Sequence, residues 1–515
     1  MLYLGIDSGT QSTKAIVLDL ESGSILANAS QGYDLIPGLP TGHLEQHPEE
    51  WFSAMTATVA ACLAQIGNRR REVRGIGVSG QQHGLVVLDE HDAVIRPAKL
   101  WCDTSTTDQC ARFEAAFGGK EGLIAKVGNA MLPGYTIPKL LWLKENEPDH
   151  FKRVRTILLP HDYLNFRLTG VKRMEFGDAS GTGILNVRTR EWDRDLIAFV
   201  DPAVDAMLPE LGSSNTIHGV LLPELAAEWG ISSELVVSAG GGDNMMGAIG
   251  TGNLGGGVVT ASFGTSGTLY ACSENPVVDP QGEVAAFCDS TDRWLPLVCT
   301  MNVTVVTEQV RSWFGWDLAE LERQVASVPA GAEGISFLPY LNGERTPNLP
   351  RGSGVLHGLG SGSASPAHLA RAAMEGATLG LGYGLRRFAE LGFFPSEIRL
   401  TGGGSRSAVW RQMAADVFGV PVVALATAEG AGLGGAIQVA HADGQGSYVE
   451  LSQRLVALDD STRCGPTPER VGLYREKLDR QMELTFLLRE RGWLRECAAM
   501  AELPEKGSSI RKQPP

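Results

Sequence analysis

The sequence contains no segment that would attach the protein to a membrane. No stretch reaches the roughly 18 consecutive apolar residues that a membrane-spanning helix requires. The first residues, MLYLGID, enter an apolar run at once, so we expect no secretion signal ahead of the fold. A membrane is therefore not predicted as a partner.

Positive charge is also scarce. The chain has 44 Lys and Arg against 59 Asp and Glu, which gives a net charge of −15 and a pI near 5.2. The run RRR at 69–71 is short, and no larger basic cluster accompanies it. Because such a protein repels nucleic acid and anionic membrane surfaces, neither is predicted as a partner. An anionic nucleotide would have to be held locally, by backbone amides and a metal.

Cysteine pairs are missing as well. The eight cysteines form no CxxC pair, and they lie scattered in apolar contexts. This distribution is typical of reduced thiols in a protein core and argues against a disulfide framework or a zinc site, so we expect a cytoplasmic protein. The remaining composition, 43% hydrophobic and 20% charged with 63 glycines, is ordinary for an α/β enzyme with many tight turns.

One sequence plan occurs twice in the chain. Residues 4–19, LGIDSGTQSTKAIVLD, consist of an apolar run, a turn of small residues and a second apolar run, and residues 258–274, VVTASFGTSGTLYACSE, repeat it. The matching turns are Gly9-Thr10 and Gly264-Thr265, 255 residues apart. Glycine lets such a turn approach a ligand and present N–H groups, and the hydroxyl groups add donors. Either copy alone is also typical of an ordinary hairpin, but the repeat indicates a duplicated, two-lobed protein that binds a polyphosphate between its lobes.

Acidic residues mark two of three glycine-rich strand ends. Asp7 ends the leading strand of the first hairpin, where a carboxylate could hold a hydrated Mg²⁺. The second loop, GGGDN at 240–244, places Asp243 at the start of a predicted helix, and the third is TGGGS at 401–405. Loops at strand ends that lead into helix N-termini suit anions and reacting groups. Asp243 is either a helix cap or a base that accepts the proton of a substrate hydroxyl during attack on a phosphoryl group.

Apolar periodicity predicts strands that alternate with helices, and hence an α/β fold with a largely mixed sheet in each lobe. The predicted helices include 48–66, 161–170 and 365–391, and 72–89 is predicted as two strands around the loop 79–84. The segment 335–348, ISFLPYLNGERTPN, is expected to form a turn-rich surface loop. We assign residues 1–250 to an N-terminal lobe, 251–490 to a C-terminal lobe and 491–515 to a polar, disordered tail.

Several of these motifs together resemble the FGGY family of carbohydrate kinases, which belongs to the actin/hexokinase superfamily with its ribonuclease H-like lobes. They occur in family order between residue 2 and about residue 445: LGIDSGTQSTKAIVLD, GYTIPKLLWL at 134–143, AGGGDN at 239–244, SFGTSGT at 262–268, GVLHGLGSGSASPAHLARAAMEG at 354–376 and TGGGSRSAVWRQMAADVFGVPV at 401–422. The resemblance implies two actin-like lobes with a nucleotide cleft between them, which close over Mg·ATP and a sugar. It also implies that Asp243 is the general base and that Asp7 binds Mg²⁺ through water.

Within the family, GQQHG at 80–84 and WCDTST at 101–106 are most similar to the xylulokinase branch, which implies phosphorylation of D-xylulose at its 5-hydroxyl. The resemblance places Gln82, His83, Asp103 and Asn244 on the sugar, where neutral amide and imidazole groups suit uncharged hydroxyls. Glycerol kinases have an Arg-Glu pair in place of Gln82-His83 and an aromatic residue in place of Gly134, so the glycine is expected to leave room for a longer sugar. Many xylulokinases have Met in place of Gln82, so other ketoses and polyols (ribulose, gluconate, glycerol) stay open as acceptors.

The resemblance also implies a set of nucleotide-binding residues, namely Thr10, Lys14, Gly264, Thr265, Gly403, Gly404 and Ser407. A solvated strand lysine is the alternative for Lys14, a packed structural histidine for His83 and a plain core residue for Trp101. A rival of a different class is a non-catalytic actin-like ATPase, which would need neither the GQQHG loop nor a base at Asp243. The expected partners are therefore a small sugar and ATP, with a homodimer as one candidate assembly.

Overall fold

The computed structural model describes residues 1–427 and 429–494. Within these residues the chain forms two seven-stranded mixed sheets, one from each half of the sequence, with helices packed against them. The predicted α/β class and the two-lobed arrangement are therefore confirmed.

The elements of the first half include the strands of the first sheet and several two-stranded ribbons. The strands are β1 (Leu2–Ser8), β2 (Ser12–Asp19), β3 (Ile25–Gly32), β4 (Glu45–Gln46), β5 (Val73–Gly80), β6 (Val86–Leu88), β7 (Ala98–Lys99), β8 (Thr156–Leu158), β9 (Arg173–Glu175), β10 (Leu185–Asn186), β11 (Glu191–Trp192), β12 (Glu210–Gly212), β13 (Ile217–Val220), β14 (Val236–Ser238) and β15 (Gly241–Gly242). The helices are α1 (Pro48–Ile66), α2 (Thr107–Ala116), α3 (Gly119–Val127), α4 (Thr136–Asn146), α5 (Pro148–Arg153), α6 (Pro160–Thr169), α7 (Phe176–Ala179), α8 (Arg194–Val200), α9 (Pro223–Trp229) and α10 (Asp243–Gly250).

The second half contributes the second sheet and longer helices. Its strands are β16 (Val258–Phe263), β17 (Gly267–Ala271), β18 (Ala285–Cys288), β19 (Trp294–Thr300), β20 (Ser336–Leu338), β21 (Val355–His357), β22 (Glu397–Thr401), β23 (Val422–Leu425) and β24 (Leu458–Cys464). Its helices are α11 (Thr304–Phe314), α12 (Leu318–Ser327), α13 (Pro366–Glu390), α14 (Ala408–Phe418), α15 (Gly430–Ala442), α16 (Tyr448–Leu455) and α17 (Pro468–Glu490).

Both sheets are built around the same three-strand unit. In the first sheet the order is β13-β14-β5-β1-β2-β3, and the seventh strand, β15, pairs with β5 beyond this order. Here β1 forms an antiparallel hairpin with β2 and lies parallel to β5. In the second, whose order is β18-β19-β17-β16-β22-β23-β24, β16 forms an antiparallel hairpin with β17 and lies parallel to β22. The two hairpins that repeat in the sequence are therefore β1-β2 and β16-β17, and they occupy equivalent positions in the two sheets.

Helix α15 belongs to the second half of the sequence but packs against the first sheet. A side chain at Gly5 of β1 would overlap the carbonyl oxygen of Gly432, and one at Gly77 of β5 would overlap that of Gly435. Only glycine allows two backbones to approach this closely. The same helix also packs along α10, which begins at Asp243. Helix α15 therefore attaches the second half of the chain to the first sheet, next to the helix that begins at Asp243.

The longer helices lie where the sequence predicts them. Helix α1 has the predicted bounds, α6 ends before Gly170 with its φ of +75°, and α13 begins after Ser365, whose hydroxyl caps its first turn. The two strands predicted at 72–89 also exist, but they lie in different sheets. Strand β5 pairs with β1, whereas β6 pairs with β8 in a separate ribbon, so the loop between them passes from one sheet to the other.

The segment 335–348 is not the surface loop that its composition suggests. Most of the segment is buried, including Tyr340 and Glu344, although Asn342 and Asn348 are exposed. The Tyr340 hydroxyl bonds with the hydroxyl of Thr485 at 2.9 Å, and the Glu344 carboxylate accepts the N–H of Met301 at 2.6 Å. The turn residues predict the turns correctly, but composition does not reveal that α17 and the end of β19 cover them.

Within the described residues, no helix has both the length and the apolar character needed to cross a bilayer. The described cysteines carry free thiols, and most of them are buried. Helix α17 ends at Glu490. The predicted disordered tail therefore falls, from residue 495 onward, outside the described residues, together with Cys497.

Candidate active site

A cavity of about 160 Å³ lies between the two halves of the chain. The first half lines it with side chains from the loop after β5, from the segment after β7 and from the start of α10. The second half lines it from the β16-β17 hairpin, from β18 and β19 and from the segment 335–348. The lining residues are Gln82, His83, Trp101, Asp243, Asn244, Ser262, Ser266, Thr268, Phe287, Leu297, Cys299 and Arg345. A cavity of this size suits a small molecule, since about 150 Å³ is enough for benzene.

Asp243 is the first residue of α10, and the three glycines before it are required by packing. Gly240 has a φ of +75°. A side chain at Gly241 would overlap the Ser290 hydroxyl, and a Cβ at Gly242 would lie 2.7 Å from Cγ of Gln82. The Asp243 carboxylate accepts the N–H of Asn244 at 2.8 Å through Oδ1. The glycine-rich loop therefore brings a carboxylate to the cavity with one oxygen fixed by the start of the helix.

Burial raises the pKa of Asp243 from 3.8 to about 7, and the negative charges of Asp7 and Asp178 add to the effect. Burial also raises the pKa of Asp7 to about 6, although Lys14 and the hydrogen bond from Ser79 oppose it. Carboxylates whose pKa is raised in this way are suited to a divalent cation or to proton transfer near neutral pH. That these two acids work at one site stays a prediction.

Asn244 connects the loop after β5 to the second hairpin. Its Nδ2 donates to Oε1 of Gln82 at 2.7 Å, and its Oδ1 accepts the hydroxyl of Thr268 at 3.1 Å. The Gln82 amide also points its Nε2 at the sulfur of Met245, 3.1 Å away. Gln82 and Asn244, both predicted to bind a sugar, therefore lie side by side at the cavity and hold each other in place.

His83 has a left-handed backbone, with a φ of +61°, and a buried ring. Its carbonyl accepts Nζ of Lys139 at 2.8 Å and the hydroxyl of Thr136 at 3.1 Å, which stabilises this conformation. On the other side, its Nδ1 lies 3.2 Å from Oδ1 of Asp178. A side chain at Gly181 would overlap the ring, so glycine is needed there as well.

The surroundings of His83 keep its ring neutral. Burial lowers the pKa of His83 below its ordinary value of 6.5, and Asp178 opposes this only in part. Asp178 also faces His161, at 3.3 Å, whose other ring nitrogen lies 2.9 Å from Asp162. Although burial opposes it, the two acids hold the pKa of His161 well above its usual range. Sequence reasoning missed Asp178 and Lys139, because neither lies near the GQQHG loop in sequence.

The turn of the first hairpin is tied to the cavity wall. The Thr10 hydroxyl donates to Oε1 of Gln81 at 3.1 Å and accepts Nε1 of Trp101 at 2.9 Å. Lys14 lies opposite Asp7 in the β1-β2 register, and its Nζ is 3.4 Å from a carboxylate oxygen of Glu429. Trp101 therefore lines the cavity and also donates to Thr10, a predicted phosphate-binding residue. Lys14 faces Glu429, and its contact with a phosphate stays a prediction.

The predicted nucleotide residues of the second half lie at the ends of β16 and β22. The carbonyls of Gly264 and Thr265 accept the N–H groups of residues 304 and 303, at the start of α11. Gly404 packs against Phe263, since a Cβ at Gly404 would lie 3.0 Å from the Cβ of Phe263. A Cβ at Gly403 would meet nothing within 4 Å. Ser407 caps α14, and its hydroxyl donates to the carboxylate of Glu322 at 3.1 Å. Their role in nucleotide binding stays a prediction.

Asp103 is not among the residues that line the cavity. Its carboxylate accepts Nζ of Lys99 at 3.1 Å, the N–H of Leu44 at 2.9 Å and the hydroxyl of Ser105 at 2.5 Å. His43, Glu45 and Asp103 cluster as metal ligands do, but Nζ of Lys99 occupies the position of the cation. These contacts give Asp103 a structural explanation and leave its predicted contact with a sugar unsupported.

Two equivalent hairpins, one in each sheet, and a carboxylate of raised pKa at the cavity between them are the features expected of a two-lobed kinase that phosphorylates a small molecule. Comparison with known protein families gives the particular family. Residues 2–250 match the N-terminal domain, and residues 259–442 the C-terminal domain, of the FGGY family of carbohydrate kinases. The chain belongs to the FGGY family of carbohydrate kinases and is a sugar kinase with ATP as its co-substrate.

Individual relatives support this assignment. The chain is 43% identical to a xylulose kinase of Haemophilus influenzae, over 93% of this chain and 99% of that protein. The crystal structure of a ligand-bound xylulose kinase from Lactobacillus acidophilus has a TM-score of 0.89 at 25% identity and covers 95% of this chain and 98% of that one. A gluconate kinase structure from the same organism has a TM-score of 0.88, also at 25% identity and with the same coverage. The fold is therefore common to kinases with different acceptors and does not by itself select one.

Proposed function

We propose that the protein transfers the γ-phosphoryl group of Mg·ATP to the 5-hydroxyl of D-xylulose, which gives D-xylulose 5-phosphate and ADP. The observation that carries this proposal is the carboxylate of Asp243, which has a raised pKa and lines a small cavity beside two neutral side chains suited to sugar hydroxyls, Gln82 and His83. The Haemophilus influenzae relative, named xylulose kinase, supports the choice of acceptor. We expect the reaction to occur in the cytoplasm.

In this proposal Asp243 is the general base. Its free carboxylate oxygen accepts the proton of the acceptor hydroxyl while the hydroxyl oxygen bonds to the γ-phosphorus and the bond to ADP breaks. A base works best when its pKa lies near the working pH, and burial raises the pKa of Asp243 to about 7. Oδ1 is already engaged by the helix N-terminus, so Oδ2 is the atom left for the acceptor.

Asp7 fits a metal-binding role, because its carboxylate stands at the end of β1, accepts the hydroxyl of Ser79 at 3.2 Å and carries a charge that helps to raise the pKa of Asp243. When bound, Mg²⁺ would neutralise charge on the phosphates. The first hairpin, through Thr10 and Lys14, and the second, through Gly264 and Thr265, are proposed to hold the phosphates from opposite sides. Gly403, Gly404 and Ser407 are proposed to face the nucleoside.

Gln82, His83 and Asn244 are proposed to bind the acceptor. An amide and a neutral imidazole offer hydrogen bonds to hydroxyls but no charge to attract an acid. The pKa of His83, lowered by burial, keeps its ring uncharged at neutral pH, so these side chains suit the hydroxyl groups of a sugar.

The decisive experiment is a coupled ADP-release assay with D-xylulose, D-ribulose, D-gluconate and glycerol as acceptors. We expect D-xylulose to give the highest kcat/KM and ³¹P NMR to place the phosphate on its 5-oxygen. A higher kcat/KM for gluconate or glycerol would reject the acceptor and leave the kinase class intact. Hydrolysis of ATP without transfer to any acceptor would favour the non-catalytic actin-like ATPase instead.

A further inference from the structure

Arg345 is the cationic residue of the acceptor cavity that the family motifs did not bring to attention. It follows Glu344, which is buried and fixed at 2.6 Å to the N–H of Met301 and at 3.0 Å to the amide of Asn302. The Glu344 carboxylate also accepts the N–H of Arg345 itself, at 2.8 Å. The backbone that presents Arg345 is therefore anchored to the end of β19, and its side chain leaves the second half of the chain from a rigid position.

The guanidinium crosses to the first half of the chain. A Cβ at Gly134 would lie 3.1 Å from Nη2 of Arg345 and 2.5 Å from the carbonyl oxygen of Trp101. The space that the missing side chain of Gly134 leaves is thus occupied by the guanidinium. The sequence prediction that this glycine makes room for a longer sugar needs a correction, because the room is taken by a hydrogen-bond donor.

The guanidinium of Arg345 has no charged partner within the described residues. Among residues 1–427 and 429–494 no carboxylate forms an ion pair with its guanidinium, although most other arginines of the protein have one. The side chain is only partly buried and lines the cavity. A guanidinium has five N–H donors, and a cavity wall that leaves them without a carboxylate suits oxygen atoms of a ligand.

We propose that Arg345 is a substrate-binding residue that donates to the carbonyl end of a ketose acceptor and so selects ketoses over the corresponding polyols. This inference rests on the proposed function, in which the hydroxyl at the other end of the acceptor meets Asp243. A ketose carbonyl oxygen can accept two N–H bonds from one guanidinium and carries no proton. A polyol hydroxyl at the same position carries a proton, which also needs an acceptor. The acceptor would then contact both halves of the chain.

Arg345→Gln tests the inference, with Arg351→Gln as the matched control. Arg351 lies in the same part of the chain, but it is exposed and does not line the cavity. We expect Arg345→Gln to raise the KM for D-xylulose by about 10- to 100-fold, the range for loss of a hydrogen bond from a charged donor. For D-arabinitol, in which the carbonyl of D-xylulose is reduced, the KM should rise by at most about threefold. The KM for ATP should not change. Arg345→Lys should lie between wild type and Arg345→Gln, because it keeps the charge but not the fork.

Two results would overturn the inference. One is a KM for D-xylulose that is the same in Arg345→Gln and Arg351→Gln, and the other is an equal loss for the ketose and the polyol. The proposed function is tested separately, by turnover of D-xylulose by the wild-type protein. If the wild type prefers another acceptor, that function fails, and the inference about Arg345 is decided by titrating that acceptor calorimetrically into both glutamine variants. Equal affinities would reject it, and a selective loss for D-gluconate would assign the guanidinium to a carboxylate instead of a carbonyl.

Discussion

Replacing Asp243 with asparagine should stop catalysis and, at alkaline pH, stabilise the protein without metal. Asparagine keeps an Oδ1 that accepts the two bonds from Asn244, at 2.8 and 2.9 Å, but it cannot take a proton. We therefore expect kcat to fall by about 10²–10⁴-fold, the usual contribution of a general base. The affinity for ATP should stay nearly the same, because the base acts on the acceptor.

The gain in stability follows from the raised pKa of Asp243. In the folded protein this pKa is about 7, against an ordinary value of 3.8, so the folded state holds the proton more tightly than the unfolded state. Stability therefore falls as the pH rises from about 4 to about 7, and the loss is complete above pH 7. A pKa difference of this size corresponds to about 4 kcal/mol. Because the carboxylate faces a cavity open to water, we expect about 1–2 kcal/mol.

The two effects are measured on the same pair of proteins. Urea unfolding with EDTA and without ligands, at pH 5 and pH 8, gives the stability, and coupled ADP release gives kcat. Asp317→Asn is the control, because Asp317 is an exposed N-cap whose Oδ1 accepts an N–H at 2.7 Å. A kcat of Asp243→Asn above about a tenth of the wild-type value would refute the role of Asp243 as the general base, given the range expected. If Asp243→Asn is no more stable than wild type at pH 8, the claim that the ionised carboxylate of Asp243 destabilises the folded protein is wrong.

Three further substitutions, the last with a matched control, test other parts of the site and of the fold. Asp7→Asn should raise the Mg²⁺ concentration needed for half-maximal turnover by about tenfold or more, and calorimetric sugar binding without ATP should be unchanged; the reverse pattern would contradict the metal role. Lys139→Met removes a donor from the carbonyl of His83, 2.8 Å away, and should raise the KM for the sugar but not for ATP. Gly77→Ala, whose Cβ would overlap a carbonyl of α15, should lower the free energy of unfolding in urea by about 1–3 kcal/mol. The control is Gly472→Ala, whose Cβ meets nothing within 4 Å on an exposed part of α17. It should raise the free energy of unfolding by about 0.5–1 kcal/mol.

The parts of the site that the sequence predicts are those encoded locally. The β1-β2 hairpin is set by neighbouring residues, and the three glycines before Asp243 clear the space in which its carboxylate stands. Such patterns lie within about ten residues and require only the periodicities of strands, turns and helices. The resemblance to a family added the roles of Gln82 and His83, which no local pattern defines.

The parts that the sequence does not predict depend on distant contacts. Nothing near His83 indicates that Asp178 faces its ring or that Lys139 holds its carbonyl. Asp103 follows a family motif, yet Lys99 neutralises its carboxylate away from the cavity. Arg345 lies in a segment whose composition is that of a surface loop, and its place at the cavity depends on the burial of Glu344 beside it. In each case the deciding partner is supplied by another element of the fold.

Helix α10 explains why the proposed chemistry and the joint between the two halves occur at the same place. Its first residue is Asp243, and at its last residue a side chain on Gly250 would overlap the carbonyl of Gly430 in α15. This close backbone contact, together with the packing of α15 against β1 and β5, joins α10 to the first sheet. The chain that continues from α10 to β16 contains Gly255, Gly256 and Gly257, all with positive φ, and these residues can rotate most easily. Rotation there would move the second hairpin and Arg345 relative to Asp243, and the proposed binding of one nucleotide by both hairpins would require such a motion.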